Sequence, residues 1–441
     1  MFTSEPSLAQ RIERMISATP VIDPYSHLRG DAPAAPDLAA LFFNDSMAVE
    51  LHAVGMPDDI VVGVPRDEVV RRMLPFLRRM RNTTTAWCFY RILRDLYDFQ
   101  DPHLTESNYR DLLDKVERTG HEPSWTQSVL KERCNLQAVV TGWSGGPSQG
   151  DDGLQLRLDL HPLFAPGMVA SIAGSMPLRL SGQEFAAGGM MVVGQLAATA
   201  EGLRSQLCDR LDRTLYGSGR FASTYWPIER RFRAPVVSDA GVDVLLSRVR
   251  LGETVAEDDI TTLVDFVGWN VLAWHHEHRK TLQVAVGSEA PSAVLAVSSP
   301  LSCPRYDPSW VRDLSETFRQ FSNARFDLLI GSEPLAHDAT SLARQLPNVS
   351  VSGYWSHTFT LPAIERILAQ RVQQAPMTKV GGFLSDATQV EWVYGKFQLV
   401  RKATASALAH LVEAGIYEEE EIPPILRQIF YDTPRELYGL G

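Results

Sequence analysis

Short apolar runs alternate with longer helical stretches over most of the chain, and this alternation limits the fold more than any other feature. Near-continuous apolar runs of this length are typical of strands buried on both faces of a parallel sheet. The runs are Pro20–Leu28, Leu136–Trp143, Leu156–His161, Phe221–Trp226, Leu282–Gly287, Asp327–Ser332, Val349–Trp355 and Val380–Asp386. Eight such strands joined by helical crossovers predict an α/β protein built on a (β/α)8 TIM barrel.

The stretch between the first two runs carries almost no strand signal. Its apolar residues recur at helical spacing in four segments, which are 37–43, 66–81, 85–97 and 106–119. Polar residues at 105–108 precede the last of these and predict a helix that begins at Tyr109. We therefore expect a barrel domain of residues 1–29 and 136–441, and a helical insertion of residues 30–135 after strand 1.

The charge balance and the ends of the chain narrow the functional class. A net charge of −11 over 441 residues argues against general nucleic-acid binding, which needs a basic surface. Residues 1–6 lack a basic segment followed by an apolar core, and the most apolar windows are too short to cross a bilayer. The four cysteines form no CxxC pair, which favours free thiols in a reducing compartment. These features predict a cytoplasmic protein without nucleic-acid or membrane partners.

Polar residues at the exits of the predicted strands are the candidates for chemistry, because active sites of such barrels lie at the carboxyl ends of the strands. His27, His161, His357 and Asp386 occupy such positions. Strands 1 and 8 are neighbours in a closed barrel, so His27 and Asp386 are expected to face each other. A carboxylate there suits metal ligation or proton abstraction. Asp386 could equally be the N-cap of a helix over 389–393, and the sequence leaves both interpretations open.

Other candidates have weaker positions. His275, His276 and His278 are densely spaced, but they precede the Leu282 strand and fall at the opposite end of the barrel, where a solvated helix end is expected. Trp355, Tyr225 and Trp226 are placed to form the apolar wall of a pocket, although aromatic residues at strand ends also serve in packing alone. We predict that Trp355, His357 and His161 contact the substrate.

Several landmarks together resemble one family. The segment Val21–Leu28 is similar to an Asp-x-His-x-His-Leu strand, and Lys379–Asp386 to a last strand that continues Thr-Asp-Ser-Arg. The helical region with Trp87–Asp98 and Leu104–Tyr109, and the aromatic exit Gly353–Trp355, match as well. On these residues the chain resembles the uronate isomerases, a divergent branch of the amidohydrolase superfamily, nearly from end to end. The resemblance implies a distorted barrel.

The resemblance also implies a reaction and a cofactor. The family reaction is the aldose–ketose isomerisation of a sugar acid such as glucuronate, and the family tends to assemble into homo-oligomers. The matched positions imply a divalent ion, zinc or manganese, held by His27 and Asp386. We predict Asp386 and Tyr25 as the catalytic residues.

Departures from the family pattern predict an altered active site. Tyr25 stands where the family has its first metal-binding histidine, and Ala285 stands where a later strand has another histidine. Ala165 and Thr388 stand at the positions of two arginines, whose loss removes bidentate clamps for a carboxylate. A His-Tyr pair of the family falls at residues 46–47, which are Ser-Met. Two alternatives therefore stay open, a metal-dependent hydrolase of the same superfamily and a non-catalytic barrel that binds a small ligand.

Overall fold

Eight parallel strands form one sheet in which each strand pairs with the next along the chain. The computed structural model describes residues 5–29, 32–57, 64–142, 154–160, 178–180, 183–185, 197–217, 219–225, 236–253, 255–289, 303–304 and 306–440. The strands are β1 (Val21–Ser26), β2 (Leu136–Thr141), β3 (Leu154–Asp159), β4 (Gly219–Tyr225), β5 (Thr281–Val286), β6 (Arg325–Ile330), β7 (Val349–Ser352) and β8 (Val380–Gly381). Each coincides with one of the eight predicted runs.

Backbone hydrogen bonds beyond the ends of β1 and β8 bring the two edges of the sheet together. The Asp386 N–H donates to the Tyr25 carbonyl at 2.8 Å, and the His27 N–H donates to the Ala387 carbonyl at 2.8 Å. The first and last strands are therefore neighbours, and the sheet closes into a (β/α)8 barrel. The predicted fold class is confirmed.

The last strand is short because two glycines press its backbone against neighbouring side chains. A Cβ at Gly381 would overlap the Ser352 side chain, and one at Gly382 would lie 3.0 Å from the Phe430 ring. The Gly382 N–H donates to Ile429 O at 2.8 Å, outside the sheet. The chain thus leaves the strand after Gly381 and approaches the barrel mouth as an irregular segment.

Helices cover the outside of the barrel. Those before β2 are α1 (Leu8–Ala18), α2 (Leu38–Phe42), α3 (Asp45–Ala53), α4 (Arg66–Arg79), α5 (Thr84–Tyr97), α6 (Tyr109–Gly120) and α7 (Trp125–Gln127), which continues as a π-helix over Ser128–Arg133. Those after β3 are α8 (Ala200–Gly217), α9 (Asp239–Arg250), α10 (Glu257–His278), α11 (Ser309–Gln320), α12 (Glu333–Gln345), α13 (Leu361–Gln374), α14 (Val390–Glu413), α15 (Ile422–Arg427) and α16 (Thr433–Tyr438). Among the described residues, no helix has both the length and the apolar character needed to cross a bilayer.

The helices between β1 and β2 share one continuous apolar core with the barrel helices. Glu391, buried at the start of α14, joins the two groups. Its carboxylate accepts hydrogen bonds from Tyr97 Oη at 3.0 Å, Trp125 Nε1 at 2.8 Å and the Ala35 N–H at 3.0 Å. The four helical segments predicted in this region correspond to α2, α4, α5 and α6, with ends close to those observed. The division into two domains stays a prediction.

The amino end of the barrel is closed by α16. Thr281 Oγ1 at the start of β5 donates to the Leu437 carbonyl at 2.6 Å, and the Tyr438 ring lies 4.3 Å from the Phe221 ring between their centroids. The Tyr438 hydroxyl donates to the buried carboxylate of Asp327, and Gln283 Nε2 donates to that hydroxyl at 2.8 Å. Tyr438 thereby fills the lower interior of the barrel.

Candidate functional site

His27 and Asp386 meet at the carboxyl end of the barrel. The two backbone hydrogen bonds that join the exits of β1 and β8 fix their positions, and His27 Nε2 lies 3.2 Å from Asp386 Oδ1. Their side chains are 29% and 26% exposed, so the pair can be reached from solvent. The predicted juxtaposition of these two residues is therefore observed.

Asp386 holds an unusual backbone conformation. Its φ is 48°, in the left-handed region that Asp adopts more readily than most residues. Its carbonyl accepts a hydrogen bond from Lys396 Nζ at 2.9 Å. Helix α14 begins at Val390 with Gln389 as its N-cap, so the interpretation of Asp386 as an N-cap is wrong. The hydrogen bonds of the Asp386 N–H with Tyr25 and of the Asp386 carbonyl with Lys396 hold this strained segment in place. The Asp386 carboxylate is thereby turned toward His27.

Cations keep Asp386 ionised despite its surroundings. Burial raises the pKa of this carboxyl, but the hydrogen bond with His27 and the charges of Lys396, His27 and Arg157 together lower the pKa below its ordinary value. Asp386 is therefore an anion at neutral pH, able to accept a proton or to contact a cationic group.

Tyr25 lies one layer below this pair, with a cation over its ring. Its side chain is buried, its ring meets that of His27 edge to face at 5.3 Å, and the Arg157 guanidinium lies 3.8 Å above the ring centroid. Arg157 is itself completely buried and donates from Nε to Asp159 Oδ1 at 2.7 Å. This geometry is a cation–π contact supported by an ion pair.

Sequence reasoning did not select Arg157 or Asp159, although a signal was present. In the run Leu-Gln-Leu-Arg-Leu-Asp of β3, polar residues alternate with leucines, and alternate residues of a strand share one face. Arg157 and Asp159, whose side chains are 0% and 10% exposed, place a guanidinium and a carboxylate inside the fold, and this indicates polar chemistry inside the barrel.

Five buried side chains form a separate apolar group in the upper barrel, which we call the mouth cluster. Its members are Tyr25, Ala285, Leu329, Trp355 and Leu384. Tyr25 and Leu384 each precede a member of the His27–Asp386 pair by two residues. The mouth cluster is thus an apolar layer beneath the pair, and Ala285 contributes to it from the position where the resemblance implies a histidine.

Of the remaining candidate residues, Trp355 and His357 lie in the part of the chain that the structure describes. Trp355 belongs to the mouth cluster and is 6% exposed. His357 is exposed, in a single 3-10 turn over Ser356–Thr358 that follows β7. His161 and Trp226 lie outside the described residues, and only the backbone of Tyr225 is described.

The histidines of α10 lie away from the mouth, as predicted, but the expected solvated helix end is wrong for one of them. His275 is fully buried, its Nδ1 lies 2.7 Å from the Val271 carbonyl, and burial lowers its pKa to about 4. His278 stacks on Trp274 with centroids 4.3 Å apart. These rings have structural roles.

The metal-binding side chains described at the mouth are too few to form a complete metal site. Within the described part of the chain, no group of three or more His, Cys, Asp or Glu side chains is arranged to hold an ion. His27 and Asp386 are hydrogen-bonded to each other, and Tyr25, the third position implied by the resemblance, lies under a guanidinium. A catalytic zinc normally takes three protein ligands, so these residues do not fit one.

Comparison with known proteins agrees with the resemblance found in the sequence. No protein-family profile matches the chain. A uronate isomerase from Nostoc punctiforme is 24% identical over 135 residues, a segment that covers 30% of this chain and 29% of that protein. The match therefore spans less than a third of that relative.

Solved structures match over the whole chain. A glucuronate isomerase from Caulobacter crescentus superposes with a TM-score of 0.81 at 14% identity, covering 100% of this chain and 96% of that one. A uronate isomerase from Thermotoga maritima superposes with a TM-score of 0.82 at 13% identity, covering 99% and 100%. The chain thus has the fold of these proteins, and its resemblance to the uronate isomerases is confirmed.

Proposed function

We propose that this chain, which shares its fold with uronate isomerases, is a uronate isomerase-like protein with an altered active site. Its reaction is the aldose–ketose isomerisation of a sugar acid such as glucuronate. The observation that carries the proposal is the His27–Asp386 pair, an ionised carboxylate joined to an imidazole at the carboxyl ends of β1 and β8. This is the end at which barrel enzymes bind their substrates.

The pair can supply the proton transfers that this isomerisation needs. Asp386 takes the proton from C2 of the open-chain aldose, and the C2 electron pair forms a C1–C2 double bond while the carbonyl oxygen O1 accepts a proton. Return of a proton to C1, with loss of the proton on O2, gives the ketose, so atoms and electrons balance. His27 orients the carboxylate, and the Tyr25 ring holds His27 in place.

Positive charge at the mouth favours an anionic substrate. Lys396 and Arg157 both lower the pKa of Asp386 through their charges, so they add a positive potential at the mouth that attracts an anion. We propose His357, which is exposed, and His161 as polar contacts of the substrate, with Trp355 as the apolar wall.

We propose zinc or manganese at His27 and Asp386 as a further possibility, supported by these two donors among the described residues, and no step of the proposed reaction depends on a metal. We also propose that the chain works in the cytoplasm, as its buried free thiols Cys88 and Cys134 suit a reducing compartment. We further propose that the chain assembles with other copies of itself into a homo-oligomer.

Product analysis tests the reaction. Purified protein is incubated with glucuronate and with galacturonate, with added zinc, with added manganese and with a chelator, and ketose formation is followed. We expect slow ketose formation that is lost in Asp386→Asn and His27→Gln. His121→Gln, an exposed histidine of the insertion, is the matched control and should leave the rate unchanged.

A non-catalytic barrel is the second candidate, and the mouth cluster favours it, because Tyr25 and Ala285 occupy positions where the resemblance implies histidines. No ketose under any condition, together with saturable binding of glucuronate, would contradict the isomerase and support this alternative. Metal-dependent hydrolysis would require stoichiometric metal that is lost in His27→Gln.

A further inference from the structure

A polar cavity lies at the amino end of the barrel, on the side opposite the mouth. Its volume is about 80 Å³, and its walls come from the starts of β6 and β7, the turn before β8, and α16. One buried water needs roughly 10–15 Å³ on this measure, so the cavity has room for a small polyatomic ligand.

Two cations face this cavity without a carboxylate partner in the described part of the chain. Arg325 Nη1 donates to the Glu436 backbone carbonyl at 3.3 Å, and Lys379 Nζ donates to the Pro347 backbone carbonyl. Backbone carbonyls satisfy hydrogen bonds but do not neutralise charge. Burial and the nearby Arg325 charge lower the pKa of Lys379, while Glu436 opposes them. An anion between the two cations would relieve both effects.

Hydroxyl groups complete the lining. Ser350, on the inner face of β7, is 5% exposed, and Thr378 lies at the rim. Among the described residues neither side-chain hydroxyl has a hydrogen-bond partner, so both can donate to a ligand. Among the described residues that line the cavity, Glu436 is the one acidic group, and its charge lowers the affinity for anions.

We propose that this cavity binds a small tetrahedral oxyanion, either free or as the phosphoryl group of a phosphomonoester. Arg325 and Lys379 supply charge-assisted hydrogen bonds, and Ser350 and Thr378 supply neutral ones. Because the cavity wall joins strand starts to α16, the bound anion would also clamp the helix that closes the barrel. The site is independent of the proposed reaction at the mouth.

Calorimetric titration of the full chain with inorganic phosphate, at ionic strength held constant with chloride, tests the site. We expect one saturable site, and binding at least about tenfold weaker in the Arg325→Gln/Lys379→Gln double variant. Arg250→Gln, on a helix outside the cavity wall, is the matched control and should bind like the original chain. Glu436→Gln should bind several-fold more tightly, a gain that misfolding cannot produce.

Methyl phosphate distinguishes the two sources of the ligand. Equal affinity for methyl phosphate and inorganic phosphate assigns the site to the phosphoryl group of a larger molecule, whereas binding of inorganic phosphate alone assigns it to the free ion. Absence of saturable phosphate binding, or unchanged affinity in both the double variant and Glu436→Gln, would overturn the proposal.

Discussion

Tyr25 decides what the mouth of the barrel can do. A histidine at this position would offer a neutral nitrogen next to His27 and Asp386, whereas tyrosine offers a phenol that is a weak ligand unless ionised. The guanidinium of Arg157, 3.8 Å above the ring, is stabilised by the aromatic face. The same charge opposes a divalent cation nearby. Tyr25 thus removes a metal-binding nitrogen, and its ring stabilises a guanidinium that would repel a metal ion.

Restoring the histidine should restore part of the metal affinity. We expect Tyr25→His to bind zinc about tenfold or more tightly than the original chain, equivalent to ~1.4 kcal/mol or more. Tyr25→Phe, which removes the hydroxyl without adding a donor, is the control and should show no gain. Zinc titration by calorimetry at pH 7 measures both. Equal affinity in all three proteins would show that residue 25 does not limit metal binding.

Asp386 shows what the sequence could not reveal at the scale of one residue. Strand exit and helix N-cap share the same local pattern, an apolar run followed by Asp and a helical segment. The choice between them depends on a left-handed backbone angle and on the contact with Lys396, ten residues later. Neither is encoded in local spacing, so both interpretations had to stay open.

Among the elements, α14 connects the helices before β2 to the barrel. Its buried Glu391 accepts three hydrogen bonds, from Tyr97, Trp125 and the Ala35 backbone. Burial raises the pKa of Glu391, and these donors oppose the increase. The carboxylate therefore serves as a shared acceptor for three segments that are distant in sequence.

Removal of this acceptor should loosen the connection. We expect Glu391→Ala to lower the free energy of unfolding by about 3 kcal/mol or more, because three buried donors lose their partner and each costs roughly 1–3 kcal/mol. Glu413→Ala, on the exposed last turn of the same helix, is the matched control and should change stability by less than about 0.5 kcal/mol. Urea unfolding measures both. A small effect of Glu391→Ala would mean that water replaces the carboxylate.

Strands were predictable at the level of the element, because strands buried on both faces must be apolar and the spacing between them is set by the crossover helices. The eight runs therefore located β1 to β8 within a few residues. The positions of Asp23 and Asp327 within two of these runs carried no such signal. Their partners, Ser385 and Tyr438, come from distant segments that only the closed barrel brings together.

Across the whole molecule, the barrel interior is layered. Tyr438 fills the amino end, Asp23, Gln283 and Asp327 form a buried polar middle, and the mouth cluster lies above them. Asp23 Oδ1 accepts from the backbone N–H groups of Tyr25 and Ser385 at 3.2 and 3.0 Å. Burial raises the pKa of both Asp23 and Asp327 to about 6, despite these hydrogen bonds.

Such carboxyls make the stability of the fold depend on pH in a defined direction. The folded chain holds a proton on Asp327 up to about pH 6, whereas the unfolded chain loses it near the ordinary value of 3.8. The protonated carboxyl therefore contributes stability that is fully present below pH 3.8 and is lost as the pH rises through 6. The loss is at most about 3 kcal/mol, since one pKa unit corresponds to roughly 1.4 kcal/mol.

Asp327→Asn removes this ionisation and keeps the shape and an acceptor for Tyr438. We expect the stability of the variant, relative to the original chain, to rise by up to about 3 kcal/mol between pH 4 and pH 7, because only the original chain must bury a charge at the higher pH. Urea unfolding at pH 4, 5.5 and 7 gives the difference at each point. Asp114→Asn, exposed on α6, is the control and should show little change in this difference. A difference independent of pH would mean that Asp327 ionises at its ordinary pKa, and that water or a cation reaches the middle of the barrel.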